Sequence, residues 1–191
     1  MTYPVKPGKG CFMKSFVIGI CGPSGSGKST IAEKLAGMLG CEVLSSDRFF
    51  KSEMPTMISP VDGKEYPDWN NPDSVDYPAL VRAVEEKKKE AGLLIVEGCI
   101  ILTCQELRDL LDYVVYTDAS VETCLFRRIA RNVKLMGLSV EEIGEYYLKC
   151  ARYREKEYCI PQKEKADFVV SNEYGFDADL KKCAEEIKAK A

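Results

Sequence analysis

Histidine is absent from the 191-residue chain. Its absence excludes the catalytic systems that need an imidazole, namely Ser-His-Asp and Cys-His nucleophile arrangements, and any metal centre with histidine ligands. Acid–base and charge chemistry must therefore come from Asp, Glu, Lys and Arg.

Zinc-type cysteine clusters and long apolar runs are also missing. The nine cysteines form no CxxC pair and no close group, so we expect reduced thiols. No apolar run approaches the roughly 18 residues that a membrane span needs. The first residues are too polar and proline-rich for a signal peptide. We therefore expect a cytoplasmic protein with no membrane partner.

The chain has no excess of basic residues, since its formal net charge is -3 and its pI is near 5.3. Without a broad basic field, a nucleic-acid partner is not expected. The 46% hydrophobic content is enough for one sizeable core, which predicts a single domain over residues 13–191. Residues 1–12 are interpreted as an N-terminal extension or a remnant of expression, because Met13 precedes the first apolar run.

Short apolar runs alternate with longer helix-like stretches, which predicts an α/β fold with a five-stranded parallel sheet and helices on both faces. Ser120 and Ser139 stand where helix N-caps belong. The proline-rich stretch from Phe50 to Tyr77 opposes regular structure and indicates a lid or binding loop. The predicted strands are Phe16–Cys21, Glu42–Ser45, Leu93–Glu97, Tyr113–Thr117 and Asp167–Val170. The predicted helices are Lys28–Leu39, Pro78–Glu90, Cys104–Leu111, Val121–Met136, Val140–Tyr158 and Ala178–Lys190, and we assign Val140–Tyr158 a structural role only.

The segment GPSGSGKST, from Gly22 to Thr30, matches the phosphate-binding pattern G-x-x-x-x-G-K-[ST]. It lies between a predicted strand and a predicted helix, the context in which glycines let backbone N–H groups surround phosphates. The alternative is an ordinary glycine-rich turn with a surface lysine. The motif predicts ATP and Mg²⁺ as cofactors, bound by Gly22, Ser24, Gly25, Ser26, Gly27, Lys28, Ser29 and Thr30.

A phosphate-binding loop alone does not distinguish a kinase from a GTPase or a motor. Neither NKxD nor DxxG occurs, so guanine specificity and a GTPase switch have no sequence support, and the chain is too short for a motor. A small-molecule kinase remains.

Further segments then carry a family resemblance, which runs from Met13 to about Val170. The chain resembles the uridine kinase and nicotinamide riboside kinase group of the phosphoribulokinase-like superfamily. This resemblance implies a P-loop NTPase fold with a helical lid. The segments are SSDRFF (45–50), DWNNPDSVD (68–76), LLIVEG (93–98), FRRIAR (126–131) and YCIPQKEKADFVV (158–170).

The resemblance implies that Asp47 takes the proton from the attacking hydroxyl and that Glu97 helps Ser29 to hold Mg²⁺. Asp47 follows the second predicted strand and would lie at the ligand-binding edge of the sheet. The alternatives are a turn-capping Asp47 and a Glu97 that is paired with a nearby lysine.

The resemblance also implies that Arg128 and Arg131 act with Lys28 on the transferring phosphoryl group, with Arg127 contacting the nucleotide. The alternative for each arginine is a solvated helix face.

For the acceptor, Phe50, Trp69 and Asn70 are the predicted substrate contacts together with Asp47. Asn70 replaces the carboxylate that is common in the family. The interval from Tyr77 to Gly92 predicts one charged helix, which leaves no room for the base-gripping hairpin of uridine kinases. Nicotinamide riboside kinases resemble this shorter arrangement, and the stretch Asp68–Trp69–Asn70 looks like their acceptor loop. The resemblance therefore implies a small ribosyl or nucleoside acceptor, with nicotinamide riboside favoured over uridine or cytidine. A non-catalytic ATP-binding module and a pantothenate or sugar-phosphate kinase remain alternatives.

Overall fold

The computed structural model describes residues 15–90 and 92–191. The prediction for residues 1–12 lies outside the described residues. The strands are β1 (Phe16–Cys21), β2 (Glu42–Ser45), β3 (Thr56–Ile58), β4 (Glu65–Pro67), β5 (Leu93–Glu97), β6 (Tyr113–Asp118) and β7 (Phe168–Ser171). The α-helices are α1 (Lys28–Leu39), α2 (Tyr77–Glu90), α3 (Gln105–Arg108), α4 (Val121–Met136), α5 (Val140–Tyr146), α6 (Arg152–Arg154) and α7 (Asp177–Lys190).

The central sheet has five parallel strands in the order β2-β5-β1-β6-β7. In its register Ile18 is opposite Ile95, and Ile20 is opposite Val115. These strands read as continuous apolar runs because both faces of the sheet are covered. The predicted α/β fold with a five-stranded parallel sheet is confirmed.

Helices cover both faces of the sheet. On one face Ile18 and Ile20 of β1 pack in a core with Leu35 of α1 and Leu180 of α7. On the other face Val17 packs in a second core that includes residues of α2 and α3. The carboxyl ends of β1, β2 and β5 therefore meet at one edge, where ligands bind in such folds.

Between Phe50 and Tyr77 the structure differs from the prediction, because β3 and β4 form an antiparallel hairpin. Met57 is opposite Tyr66, and Gly63 at the turn has φ 68°, which favours glycine. The expectation of irregular structure was wrong for these residues, since two strands of three residues give too short a pattern to read.

Residues 140–159 form one helical stretch that begins with a capping box at Ser139 and includes two π-helical segments, Tyr147–Ala151 and Glu155–Cys159. π-Segments re-aim side chains and are frequent at functional sites. The predicted N-caps Ser139 and Ser120 are confirmed. The helix predicted over Cys104–Leu111 is shorter in the structure, where α3 covers only Gln105–Arg108. A 3₁₀ turn over Ile101–Thr103 precedes it.

Within residues 15–90 and 92–191, no helix has the length and apolar character to cross a bilayer. The eight cysteines in this part of the chain are free thiols.

Candidate active site

A cavity of about 770 Å³ lies at the carboxyl edge of the sheet. It extends from the phosphate-binding loop to the β3–β4 hairpin and is covered by the end of α4 and by α5. Its lining includes many residues predicted from the sequence, namely Ser24, Lys28, Ser29, Asp47, Phe50, Trp69, Asn70, Glu97, Arg128 and Arg131. The structure therefore brings the predicted phosphate, metal and acceptor contacts into one space.

The phosphate-binding loop is held by buried hydrogen bonds. Ser26 Oγ lies 2.6 Å from Thr117 Oγ1, and Asn172 Nδ2 donates to the Ser26 carbonyl oxygen at 2.7 Å. Gly25 and Gly27 have φ values of 91° and 96°, and a Cβ on either would overlap Cys124 or Asn172. The loop conformation thus requires glycine at both positions.

Lys28 is 8% exposed and donates from Nζ to the Pro23 carbonyl oxygen at 3.0 Å. Burial alone would lower the pKa of Lys28, but Cys99 and Glu97 beside the ammonium outweigh burial and raise it. Lys28 is therefore a fixed positive charge at the phosphate end of the cavity.

Ser29 Oγ, at the start of α1, lies 3.5 Å from Glu97 Oε2 at the end of β5. Burial raises the pKa of Glu97, while hydrogen bonding by Ser45 and the charge of Lys28 oppose the rise. A hydroxyl and a carboxylate oxygen next to a phosphate cradle suit Mg²⁺, which takes few protein ligands and completes its shell with water and phosphate oxygens. These two residues fit the metal predicted from the sequence.

Asp47 lies in a 3₁₀ turn, Ser46–Phe49, that directly follows β2. Its backbone N–H donates to Ser45 Oγ at 3.4 Å, and its exposed carboxylate faces the cavity. The Asp47 charge also contributes to the raised pKa of Glu97, so the two carboxylates interact. An exposed carboxylate here can accept a proton from a bound hydroxyl.

The three predicted arginines have different surroundings. Arg131 Nη2 donates to Ser24 Oγ of the phosphate-binding loop at 3.2 Å. Arg128 is buried and pairs with Glu155 at 3.3 Å. Arg127 does not line the cavity and instead points to the Glu173 carbonyl oxygen at 3.5 Å. Arg128 and Arg131 therefore line the cavity, whereas Arg127 lies beside the 171–176 loop.

At the far end of the cavity the walls are mainly apolar. Phe50 and Trp69 meet edge to face, with ring centroids 5.4 Å apart. Trp69 is 46% exposed, so its ring is available to a ligand, and Asn70 beside it is buried. Apolar residues at the end of α4, between α4 and α5, and on α5 also line the cavity, namely Leu135, Met136, Leu138 and Ile143. This end suits a flat ring.

Several cavity residues had no signal in the sequence. Tyr146, Asn132 and Cys99 line the cavity, and Glu155 contacts Arg128 behind it. The 140–159 helix was assigned a structural role because its apolar spacing is that of a core-facing helix. In contrast, the predicted Thr30 is exposed on α1 and does not line the cavity.

Two family models match the chain. The model of the phosphoribulokinase / uridine kinase family matches residues 71–174, which is more than half of the chain, and the model of an AAA domain matches residues 17–95.

Individual proteins are also similar. Uridine-cytidine kinase A of Dictyostelium discoideum is 29% identical over 85% of this chain, although the match spans only 37% of that relative. Uridine kinase of Clostridium tetani is 26% identical over 82% of this chain and 87% of its own. Shikimate kinase from Acinetobacter baumannii superposes with a TM-score of 0.54 and 22% identity, covering 94% of each chain. That last likeness bears on the fold alone.

Proposed function

The chain belongs to the phosphoribulokinase / uridine kinase family, and from this premise we propose that it transfers the γ-phosphoryl group of ATP to the 5′-hydroxyl of a nucleoside. Family membership makes it an ATP-dependent phosphotransferase with an alcohol acceptor, as the sequence predicted. The substrate is therefore a small molecule, and the finer question is which nucleoside it is.

One observation carries the proposal: Lys28, Asp47 and Trp69 line the same cavity. A triphosphate cradle, a free carboxylate and an aromatic wall in one space are what a two-substrate transfer requires. A protein that only bound ATP would need the cradle without the carboxylate and the aromatic wall.

The roles of the residues follow from their positions. Asp47 holds the acceptor hydroxyl and accepts its proton as the oxygen–phosphorus bond forms and the bond from the γ-phosphorus to ADP breaks. Lys28, Arg128 and Arg131 compensate the charge on the phosphoryl oxygens in a largely dissociative transfer. Ser29 and Glu97 would hold Mg²⁺, which would offset the negative charge of the phosphate oxygens.

For the acceptor we propose uridine or cytidine first. The similar proteins from Dictyostelium and Clostridium are a uridine-cytidine kinase and a uridine kinase, and they give nicotinamide riboside no support. The mainly apolar walls around Trp69 also suit an uncharged pyrimidine ring. This order reverses the preference drawn from the sequence.

Nicotinamide riboside remains a second candidate because of one specific observation. α2 occupies Tyr77–Glu90 and β5 begins at Leu93, so no base-gripping hairpin lies between them. The hairpin of this chain, β3–β4, lies before α2 instead. Cation–π attraction to Trp69 would favour a cationic ring by roughly 0.5–2 kcal/mol.

A panel assay tests the proposal. ADP formation is followed with ATP, Mg²⁺ and each of uridine, cytidine, nicotinamide riboside, pantothenate and fructose 6-phosphate, and kcat/KM is compared. We expect the highest value for uridine or cytidine. A higher value for nicotinamide riboside reverses the order of the two acceptors. ADP formation that no compound accelerates would support a non-catalytic ATP-binding module and contradict the proposal.

A further inference from the structure

Tyr146, the last residue of α5, contacts both ends of the cavity. Its hydroxyl donates to the Pro67 carbonyl oxygen, at the end of β4, at 2.8 Å. Its ring lies beneath the Arg128 guanidinium, 5.5 Å from the ring centroid to Cζ. The side chain itself lines the cavity. Tyr146 therefore links β4, the strand that precedes Trp69, to Arg128 at the phosphate end of the cavity.

Besides the Tyr146 ring, few described groups contact the Arg128 guanidinium. Among residues 15–90 and 92–191, Arg128 makes one ion pair, with Glu155, and its Nε is buried without a hydrogen-bond partner. The Tyr147 ring lies 6.0 Å away on the same guanidinium. Because a buried guanidinium is costly unless it is surrounded by favourable groups, the Tyr146 ring contributes directly to where Arg128 is held.

The acceptor side is tied to the same helical stretch by several contacts. Arg154 Nε donates to the buried Asp68 at 2.6 Å, and Lys149 pairs with Asp62 at 3.3 Å. These contacts fix the hairpin to residues 140–159, but neither Arg154 nor Lys149 lines the cavity. Of Tyr146, Lys149 and Arg154, only Tyr146 also contacts the Arg128 guanidinium.

We propose that Tyr146 is a positioning residue that couples acceptor binding to the placement of Arg128 at the phosphoryl group. This inference rests on the proposed function, because it takes Trp69 as an acceptor contact and Arg128 as a phosphate contact. An acceptor that packs against Trp69 presses on the segment that begins at Pro67. The hydroxyl of Tyr146 transmits that displacement to its ring, and the ring moves or steadies Arg128.

The consequence is energetic as well as geometric. If acceptor and nucleotide share this connection, each must strengthen the binding of the other by the same factor, since coupling is reciprocal. Occupancy of the Trp69 pocket then places Arg128 before transfer begins.

The test measures this coupling with a non-transferring nucleotide. The Kd of the imido analogue of ATP with Mg²⁺ is determined by calorimetry, with and without saturating uridine, or nicotinamide riboside if the panel ranks it higher. In the native protein we expect the nucleoside to tighten analogue binding by about fivefold or more, the usual lower range of coupling.

Two variants separate the two contacts of Tyr146. Tyr146→Phe keeps the ring and removes the hydrogen bond to Pro67, and Tyr146→Leu removes both contacts. We expect the coupling factor to fall to about twofold or less in both, with the Kd of the analogue alone unchanged in Tyr146→Phe. Tyr146→Leu should in addition lower kcat, because it removes the aromatic ring that packs against the Arg128 guanidinium.

Tyr66→Phe is the matched control. Tyr66 lies on β4 of the same hairpin and donates its hydroxyl hydrogen to Asp62 at 2.9 Å, but it does not line the cavity. Removal of the Tyr66 hydroxyl group should leave the coupling factor as in the native protein.

The outcomes distinguish the inference from the function on which it rests. Equal coupling in the native protein, Tyr146→Phe and Tyr66→Phe would overturn the inference, and so would a native protein that transfers phosphoryl groups with no coupling. In both cases the proposed function stands. A native protein that phosphorylates no nucleoside would overturn both.

Discussion

Ser29 Oγ and Glu97 Oε2 lie 3.5 Å apart, although 68 residues separate them in the chain. The parallel pairing of β1 with β5 produces this proximity, because it puts the start of α1 and the end of β5 at the same edge of the sheet. A metal ligand set that is distant in sequence is thereby assembled by the topology itself.

Glu97→Gln should stabilise the fold and abolish transfer. Burial raises the pKa of Glu97 above its ordinary value of 4.5. The folded protein therefore holds this proton more tightly than the unfolded chain, and the Glu97 contribution to stability is lost as the pH rises through the folded-state pKa. At about pH 7 the buried charge is a cost, which the neutral amide removes.

Urea unfolding at low and neutral pH measures this effect. We expect Glu97→Gln to exceed the native protein in unfolding free energy near pH 7, and to match it more closely near pH 4.5. Glu33→Gln, exposed on α1, is the control. An unfolding free energy lower than native near pH 7 would mean that the charged carboxylate stabilises the empty site.

Gly25→Ala should disrupt the phosphate-binding loop, because a Cβ there would overlap the Cys124 carbonyl oxygen and φ is 91°. We expect a loss of at least about 1 kcal/mol in unfolding free energy and a large loss of ATP affinity. Gly37→Ala, within α1 and with open space around it, should instead stabilise by about 0.5–1 kcal/mol. Thermal melts and nucleotide titrations compare the two, and equal behaviour would contradict the loop geometry.

Asp47→Asn should retain nucleotide binding and lose about 100-fold or more in kcat, the usual scale for a positioned general base. The amide keeps the shape of the side chain but cannot take the proton. Steady-state kinetics with saturating acceptor measure the loss, with Asp73→Asn, exposed outside the cavity, as control. A loss below tenfold would show that another group accepts the proton.

Trp69→Ala should weaken acceptor binding by about tenfold or more, because ring stacking on an aromatic side chain contributes roughly 1–3 kcal/mol. The Kd for ATP in the absence of acceptor should stay within about twofold of native, since the ring is at the far end of the cavity. Phe126→Ala, a similarly large aromatic removal on the exposed face of α4, is the control. An unchanged acceptor KM in Trp69→Ala would place the acceptor ring elsewhere.

Much of the fold could be predicted because its signals are local. The five sheet strands are short apolar runs, and α1 and α4 begin and end at the predicted residues, Lys28 to Leu39 and Val121 to Met136. The phosphate-binding loop carries its own pattern. Each of these features depends on a few neighbouring residues, so the sequence alone predicts it.

Features that depend on tertiary contact could not be predicted. The β3–β4 hairpin has three residues in each strand and is held to the 140–159 helix through Tyr146 and Arg154. Tyr146 itself follows the spacing of a core-facing helix, and only the packing turns its ring toward Arg128. In the sequence, Glu155 is one of several charged residues on a helix, and nothing there indicates that it pairs with Arg128.

Radiolabelled phosphate from γ-labelled ATP shows whether this protein transfers a phosphoryl group to a nucleoside hydroxyl. With uridine or cytidine, the native protein should form labelled nucleoside 5′-monophosphate in equal amount to ADP. Lys28→Ala should form none, because it lacks the charge at the β- and γ-phosphates. Label that appears only as inorganic phosphate, at a rate independent of every nucleoside, or transfer by Lys28→Ala near the native rate, would contradict the account.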